Sequence, residues 1–245
     1  MKPFEPLNRK HRISEDVAAQ LKAAILSGLF RPGQKIPPER ELTHQFGVSR
    51  MVVREALREL ELKGFVKIQQ GPLGGAYVLD LSFDHLSDAL LDLFLAGKLS
   101  VTEVIQVRLH IEQEIARLAA ANTGEIYADR LRKALEQEME MGPSHTETVA
   151  RRFEVDRLLA EMCGNRLYQA LSRALLDLTR EIIMVVKASD VVIFNHEEHV
   201  EIVSAVLRGD PDAAAEAVKR HIKNVGDRLA ELETAYRKKV GLLIA

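Results

Sequence analysis

A chain of 245 residues, 47% hydrophobic and 29% charged, can bury a sizeable core and is too apolar to stay disordered. Its single cysteine, Cys163, excludes an internal disulfide framework and a cysteine zinc cluster, and suits a reducing cytoplasm. The net charge of −2 hides an asymmetry, because residues 1–80 hold 13 Lys/Arg against 9 Asp/Glu while the remainder carries −6; a basic module precedes an acidic body.

The first residues, MKPFEPLNRKHRISEDV, lack the apolar stretch of a signal peptide, and no run reaches the roughly 18 apolar residues of a membrane span. The expected location is cytoplasmic, with no membrane partner. From Ser14 to Leu29, Val17, Leu21, Ala24, Ile25 and Gly28 share one helical face. Ser14 reads as the N-cap, and Glu15 and Asp16 suit the first turn. Arg31-Pro32-Gly33 ends this helix. Pro37 and Pro38 open a short helix from Glu39 to Phe46, closed by Gly47. Ser49 then starts a helix to about Lys63 with Val53, Ala56, Leu57 and Leu60 facing inward, and Gly64 stops it. Phe65 to Gln69 alternates as a half-buried strand, Gly71-Pro72-Leu73-Gly74-Gly75 is a turn, and Ala76 to Leu79 is a second strand. Residues 1–80 are therefore expected to form a winged helix-turn-helix.

From Asp80 onward the pattern is helical throughout. Helices are predicted at roughly 84–97, 101–122, 124–141, 146–163, 166–188, 191–208 and 211–236. The expected fold class is mostly α, with the winged helix-turn-helix followed over residues 81–245 by an all-helical bundle of about six or seven helices. Met139, Met141, Met162 and Met184 read as core filler, Cys163 as structural, and Arg237-Lys238-Lys239 as a solvated helix end.

The chemistry of the first module is that of a DNA reader. Gly47 permits the tight turn, and Ser49 caps the following helix and can donate to a phosphate. Arg50, Arg54 and Arg58 recur every four residues as a slowly rotating basic stripe. An arginine fork bonds two acceptors on guanine, or a phosphate, at once. Arg40, one helix earlier, can reach the backbone and fix the register, and Gln70 and Gly71 sit at the hairpin tip. Taken singly, each arginine could instead form a solvated pair with Glu55, Glu59 or Glu61. The conjunction of helix order, turn glycine, capping serine and glycine-rich wing favours DNA.

In the second domain, Asp156, His199 and His221 stand on otherwise apolar faces of three predicted helices. A carboxylate and two imidazoles converging in a bundle would suit a divalent ion such as Zn, Ni or Mn. On spacing alone, the alternative is a set of hydrogen-bonded or surface histidines.

The runs Pro37-Pro38-Glu39-Arg40-Glu41-Leu42, Phe46-Gly47-Val48-Ser49-Arg50, Val53-Arg54-Glu55-Ala56-Leu57 and Gly64-Phe65-Val66 resemble the signature of the GntR family of transcription regulators. The helical remainder is similar to the FCD-type ligand-sensing domain of its FadR branch, so the resemblance spans about residues 10–235. It implies a homodimer reading a palindromic operator under control of a small organic-acid effector. Arg40, Ser49, Arg50, Arg54, Gln70 and Gly71 match the family's DNA-contacting positions. Met51 and Val52 stand where some members carry hydroxyl or proline residues, which puts base preference in question. The family's metal-binding branch has Asp and His four residues apart before a Gly-Asn, then two later histidines. Aligned on Gly164-Asn165, Asp156 takes the His position and Arg152 the Asp position, while His199 and His221 match the later pair.

Two outcomes follow from this departure. Either Asp156, His199 and His221 hold a metal with open positions for water or effector, or Arg152 pairs with Asp156 and no metal binds. Arg152 would repel a metal yet attract an effector carboxylate. His196, one turn before His199, is a substitute ligand. Arg108 and Glu112 match an Arg and Glu at the family's pocket wall. The ordinary reading is an exposed i,i+4 pair. With Val104, Val107, Ile111 and Ile115 expected to be buried, Arg108 instead borders the pocket and offers its fork to a carboxylate. A metal-dependent hydrolase or lyase using the Asp/His/His cluster is the competing function. No general base, HExxH, nucleophile elbow or phosphate-cradling loop accompanies it, so no enzyme is expected. A third reading, a helical module whose winged helix contacts protein, is opposed by the Arg50/Arg54 stripe.

Overall fold

A computed structural model of the chain describes residues 13–71, 74–80, 84–187 and 194–241. The expected turn residues Pro72 and Leu73, and the expected helical positions 188 and 191–193, lie outside the described residues. The chain divides into two compact units, Met1–His85 and Leu86–Ala245.

The first unit runs α1 (Ile13–Leu26), α2 (Glu39–Phe46), α3 (Arg50–Leu62), β1 (Val66–Gln69) and β2 (Gly75–Val78). α1 begins at Ile13, so Ser14 is buried in its first turn instead of capping it. Val17, Leu21 and Ile25 of α1 meet Leu42 of α2, Val53, Leu57 and Leu60 of α3, and Val66 and Val78 of the hairpin in one apolar core. Gly47 closes α2 at φ +65, its N–H donating to the Thr43 carbonyl. That left-handed conformation, natural for glycine, makes the sharp turn into α3. β1 and β2 pair antiparallel with Val66 opposite Val78. The segment before α2 pairs with the other edge of β2, Ile36 N–H donating to Ala76 O and Val78 N–H to Gln34 O, each at 2.8 Å. This third edge was not expected, because a short run flanked by Pro32-Gly33 and Pro37-Pro38 reads as loop.

The second unit is all-helical. It comprises α4 (Asp84–Leu95), α5 (Val101–Ala121), α6 (Glu125–Glu138), α7 (His145–Arg152), α8 (Glu154–Met162), α9 (Arg166–Val186), α10 (His196–Leu207) and α11 (Pro211–Val240). Caps set the starts: Ser100 and Glu103 form a reciprocal capping box on α5, Asn165 caps α9, and Asp210 caps α11 ahead of Pro211. α5 and α11 pack so closely at Gly226 that a Cβ there would lie 2.7 Å from Ile105 Cγ2.

One predicted helix is two. The stretch 146–163 breaks at Phe153, which takes φ −97 and ψ 1 and donates its N–H to the Ala150 carbonyl. Its buried ring packs edge-on against Phe194 with centroids 5.3 Å apart. The bundle therefore has eight helices among the described residues, where seven stretches were predicted. Three further expectations change. Arg237 is buried, donating to Glu233 and to the carbonyls of Phe94 and Leu99. Met139 and Met141 are exposed, not core, and Val107 is exposed too. Among the described residues no helix is long and apolar enough to cross a membrane.

Candidate nucleic-acid interface and effector site

The candidate recognition surface is built on α3. Val53, Ala56, Leu57 and Leu60 bury one side, so the remaining positions face solvent. Ser49 caps the helix, its Oγ accepting from Val52 N–H at 3.4 Å. That leaves the hydroxyl proton free to donate at a helix end that attracts anions. Arg40 of α2, Arg50, Arg54 and Arg58 of α3, and Gln70 beyond β1 line one surface groove. Gly71 follows at φ +104, exposed at the wing. The structure thus brings Arg40, Arg50, Arg54 and Gln70 together, with Ser49 at the head of the same helix.

The ion pairs in this region differ from those weighed from sequence. Arg54 Nε lies 3.0 Å from both carboxylate oxygens of Glu39. Glu59 pairs with Lys63, and Glu61 accepts from Ile68 N–H. Among the described residues, Arg40, Arg50 and Arg58 enter no ion pair. The Arg54–Glu39 pair is well exposed, a class worth at most about 1 kcal/mol, so a phosphate or guanine competes with it readily.

The second site lies in the bundle interior. Asp156 of α8, His199 of α10 and His221 of α11 are all buried, and their ligating atoms lie within 4.8 Å of one another. His199 Nδ1 is 2.5 Å from Glu138 Oε2, and His221 Nδ1 is 2.9 Å from Glu198 Oε2. A carboxylate only accepts, so each ring places its Nδ1–H there and turns the Nε2 lone pair inward. The two Nε2 atoms are 3.3 Å apart. Two lone pairs cannot bond each other and require a proton or a cation between them. Asp156 Oδ2 is buried without a hydrogen-bond partner.

These features fit a divalent ion. About 3.3 Å is the edge of a tetrahedron whose centre lies roughly 2.0–2.1 Å from each nitrogen. A carboxylate behind each ligating histidine is the usual outer arrangement. Burial holds the His221 imidazole below its ordinary pKa. Burial pushes His199 the same way, but its Glu138 hydrogen bond and the charges of Asp156, Glu138 and Glu198 outweigh it and raise the pKa.

Arg152 does not pair with Asp156. The break at Phe153 removes the shared helical face that an i,i+4 contact needs. Arg152 instead places Nη1 3.8 Å from Glu138 Oε1 and leaves its buried Nε without a partner. His196 Nδ1 is 3.0 Å from the same carboxylate oxygen, so His196 stands outside the three-residue group. Glu138 and Glu198 were missed from sequence. The signal for Glu138 was present, because Leu131 and Ala134 set a buried stripe that Glu138 continues.

Arg108 and Glu112 are not an exposed pair. Both are buried, joined by bonds of 2.7 and 3.0 Å, and Arg108 Nη1 donates to Thr179 Oγ1 at 3.3 Å. Desolvation works against the Arg108 charge, but Glu112 outweighs it and raises the pKa. Glu112 and Asp156 border the same narrow void between helices, which links this pair to the histidine group.

Comparisons with known proteins agree with this architecture. The family described as "Bacterial regulatory proteins, gntR family" matches residues 13–78, and the "FCD domain" family matches residues 103–224. The chain is 34% identical over 225 residues to the "HTH-type transcriptional repressor NanR" of Citrobacter rodentium, covering 90% of this chain and 86% of that protein. It is 35% identical over 228 residues to the protein of the same description from Klebsiella aerogenes, with the same coverage of 90% and 86%. A solved structure, "Streptococcus agalactiae GntR", superposes with a TM-score of 0.65 at 25% identity, covering 87% of this chain and 99% of that one. These relatives are regulators, and none supports the hydrolase or lyase alternative.

Proposed function

The chain belongs to the GntR family of bacterial regulatory proteins, with an FCD domain as its second unit, and from that premise we propose that it represses transcription under the control of an anionic effector. It is a DNA-binding transcription regulator. The observation that carries its DNA reading is the groove where Arg40, Arg50, Arg54 and Gln70 converge beside the Ser49-capped start of α3. A homodimer would present two such grooves to a palindromic operator in the cytoplasm, since two-fold protein symmetry is mirrored in the site. Arg40, Arg50 and Arg54 would take phosphates and guanine edges, Ser49 a phosphate, and Gln70 and Gly71 the neighbouring groove.

In the bundle, Asp156, His199 and His221 would hold one divalent ion of the Zn, Ni or Mn kind, with Glu138 and Glu198 orienting the two imidazoles. An ion so held would act as a Lewis-acid anchor for an effector oxygen. The effector class that fits is a small carboxylate. Arg152, partly exposed and with an unpartnered Nε, is the better placed of the two arginines to meet it. The Arg108 fork is filled by Glu112, so an effector reaches it only by displacing that carboxylate. Effector control then needs only a different affinity for the two states of the regulator.

Selection of a duplex from a random pool by the full chain tests the DNA reading. A selected site with inverted-repeat symmetry is the expected result, and a sequence without symmetry contradicts the dimer. Elemental analysis of protein purified from metal-replete cells, beside His199→Ala, tests the ion. About one equivalent in wild type and loss in the variant is expected, and absence in wild type sinks the ligand assignment.

A further inference from the structure

We propose that Met51 reads DNA sequence directly, by packing its side chain against the C5-methyl group of a thymine in the major groove. The inference rests on α3 as the groove-reading helix and adds to it a base that the arginines cannot specify. At 100° per residue, the buried positions Val53, Ala56, Leu57 and Leu60 centre on one side of α3. Met51 points almost directly away from that centre and is 73% exposed, while its neighbour Val52 is half-buried. Arg50, Arg54 and Arg58 lie progressively nearer to the Met51 direction.

Exposure of one apolar side chain is ordinary in itself; the position gives it meaning. Residues in the first turn of a recognition helix are the ones that reach base edges. Among the groups displayed in the major groove, the thymine methyl is the apolar one. Methionine is unbranched and adaptable, and so can cover a methyl group over a range of approach angles. Leu62, 83% exposed, points the same way but lies eleven residues along, about 16 Å at the rise of an α-helix, away from the base-reading end. Arg50 and Arg54 lie to one side of Met51 with forks suited to guanine or phosphate, so a thymine next to guanine or phosphate contacts is the pattern that this end of α3 fits.

The test compares wild type, Met51→Ala and Arg50→Ala on a duplex selected by the full-length wild type. Each thymine of the half-site is replaced in turn by deoxyuridine, which removes the methyl and keeps the base pair. At one or two positions wild type is expected to lose affinity about fourfold, the equivalent of one buried methyl group. Met51→Ala should bind the thymine and deoxyuridine duplexes equally there. Uridine that is harmless to wild type at every position, or equally harmful to both proteins, overturns the inference while leaving α3 as the reader. Undiminished binding by Arg50→Ala overturns the placement of α3 and the inference with it.

Discussion

Glu138 is fully buried yet faces three groups of positive or potentially positive charge, namely His199, His196 and Arg152. Its carboxylate fixes which nitrogen of His199 carries the proton, and that decides whether Nε2 is available as a ligand. Glu138→Gln keeps the shape and removes the charge, so it is expected to lower metal affinity 10- to 100-fold, the usual size of an outer-shell effect. Titration against a chromophoric chelator measures this, and an unchanged affinity contradicts the role. The Arg108–Glu112 pair makes a different prediction at the same scale. Arg108→Ala leaves a buried carboxylate uncompensated, at a cost of about 3–5 kcal/mol in urea unfolding. Arg108→Met combined with Glu112→Leu removes both charges and should cost much less. Equal losses would mean that the pair acts through volume and not charge.

At the scale of elements, the punctuation of the winged helix-turn-helix was legible because backbone chemistry announces it. Gly47, Gly64 and the prolines at 32, 37 and 38 mark ends that no side-chain contact needs to enforce. The break between α7 and α8 was not legible, since Phe153 continues the apolar period of the stretch and its partner Phe194 is distant in sequence. Arg237 was misread for a related reason. Within Arg-Lys-Lys it looks solvated, but the carbonyls that receive it belong to Phe94 in the last turn of α4 and to Leu99 in the α4–α5 connection. The Asp/His/His group was legible as three polar residues on apolar faces, whereas the carboxylates behind it were hidden among ordinary helix-end acids. Packing of α5 on α11 supplies a test of element-level reasoning. Glycine to alanine in a helix interior normally stabilises by about 1 kcal/mol, but at Gly226 the new methyl meets the stiff, β-branched Ile105. Gly226→Ala should therefore destabilise the bundle, with Ile105→Val restoring part of the loss; a stabilised variant in thermal unfolding would refute the close approach.

Across the whole molecule, the charge asymmetry has a structural counterpart: one unit carries the arginine groove and the other the buried carboxylates and histidines. Binding of an ion to the native bundle should stabilise that unit by mass action, by about 2.7 kcal/mol at a hundredfold excess over the dissociation constant. Calorimetry with added zinc and then with chelator is expected to move the unfolding of the bundle, and the same additions should leave His199→Ala where it was. The central claim, that this is a regulator whose first unit grips DNA through the α3 groove, is tested most directly by fluorescence anisotropy on a selected operator across a salt series. Wild type is expected to bind with an affinity that falls steeply as salt rises, and Arg50→Ala, with its fold intact by circular dichroism, to lose most of that affinity. Wild-type protein that fails to bind even at low salt, or an Arg50→Ala variant as tight as wild type, would contradict the account.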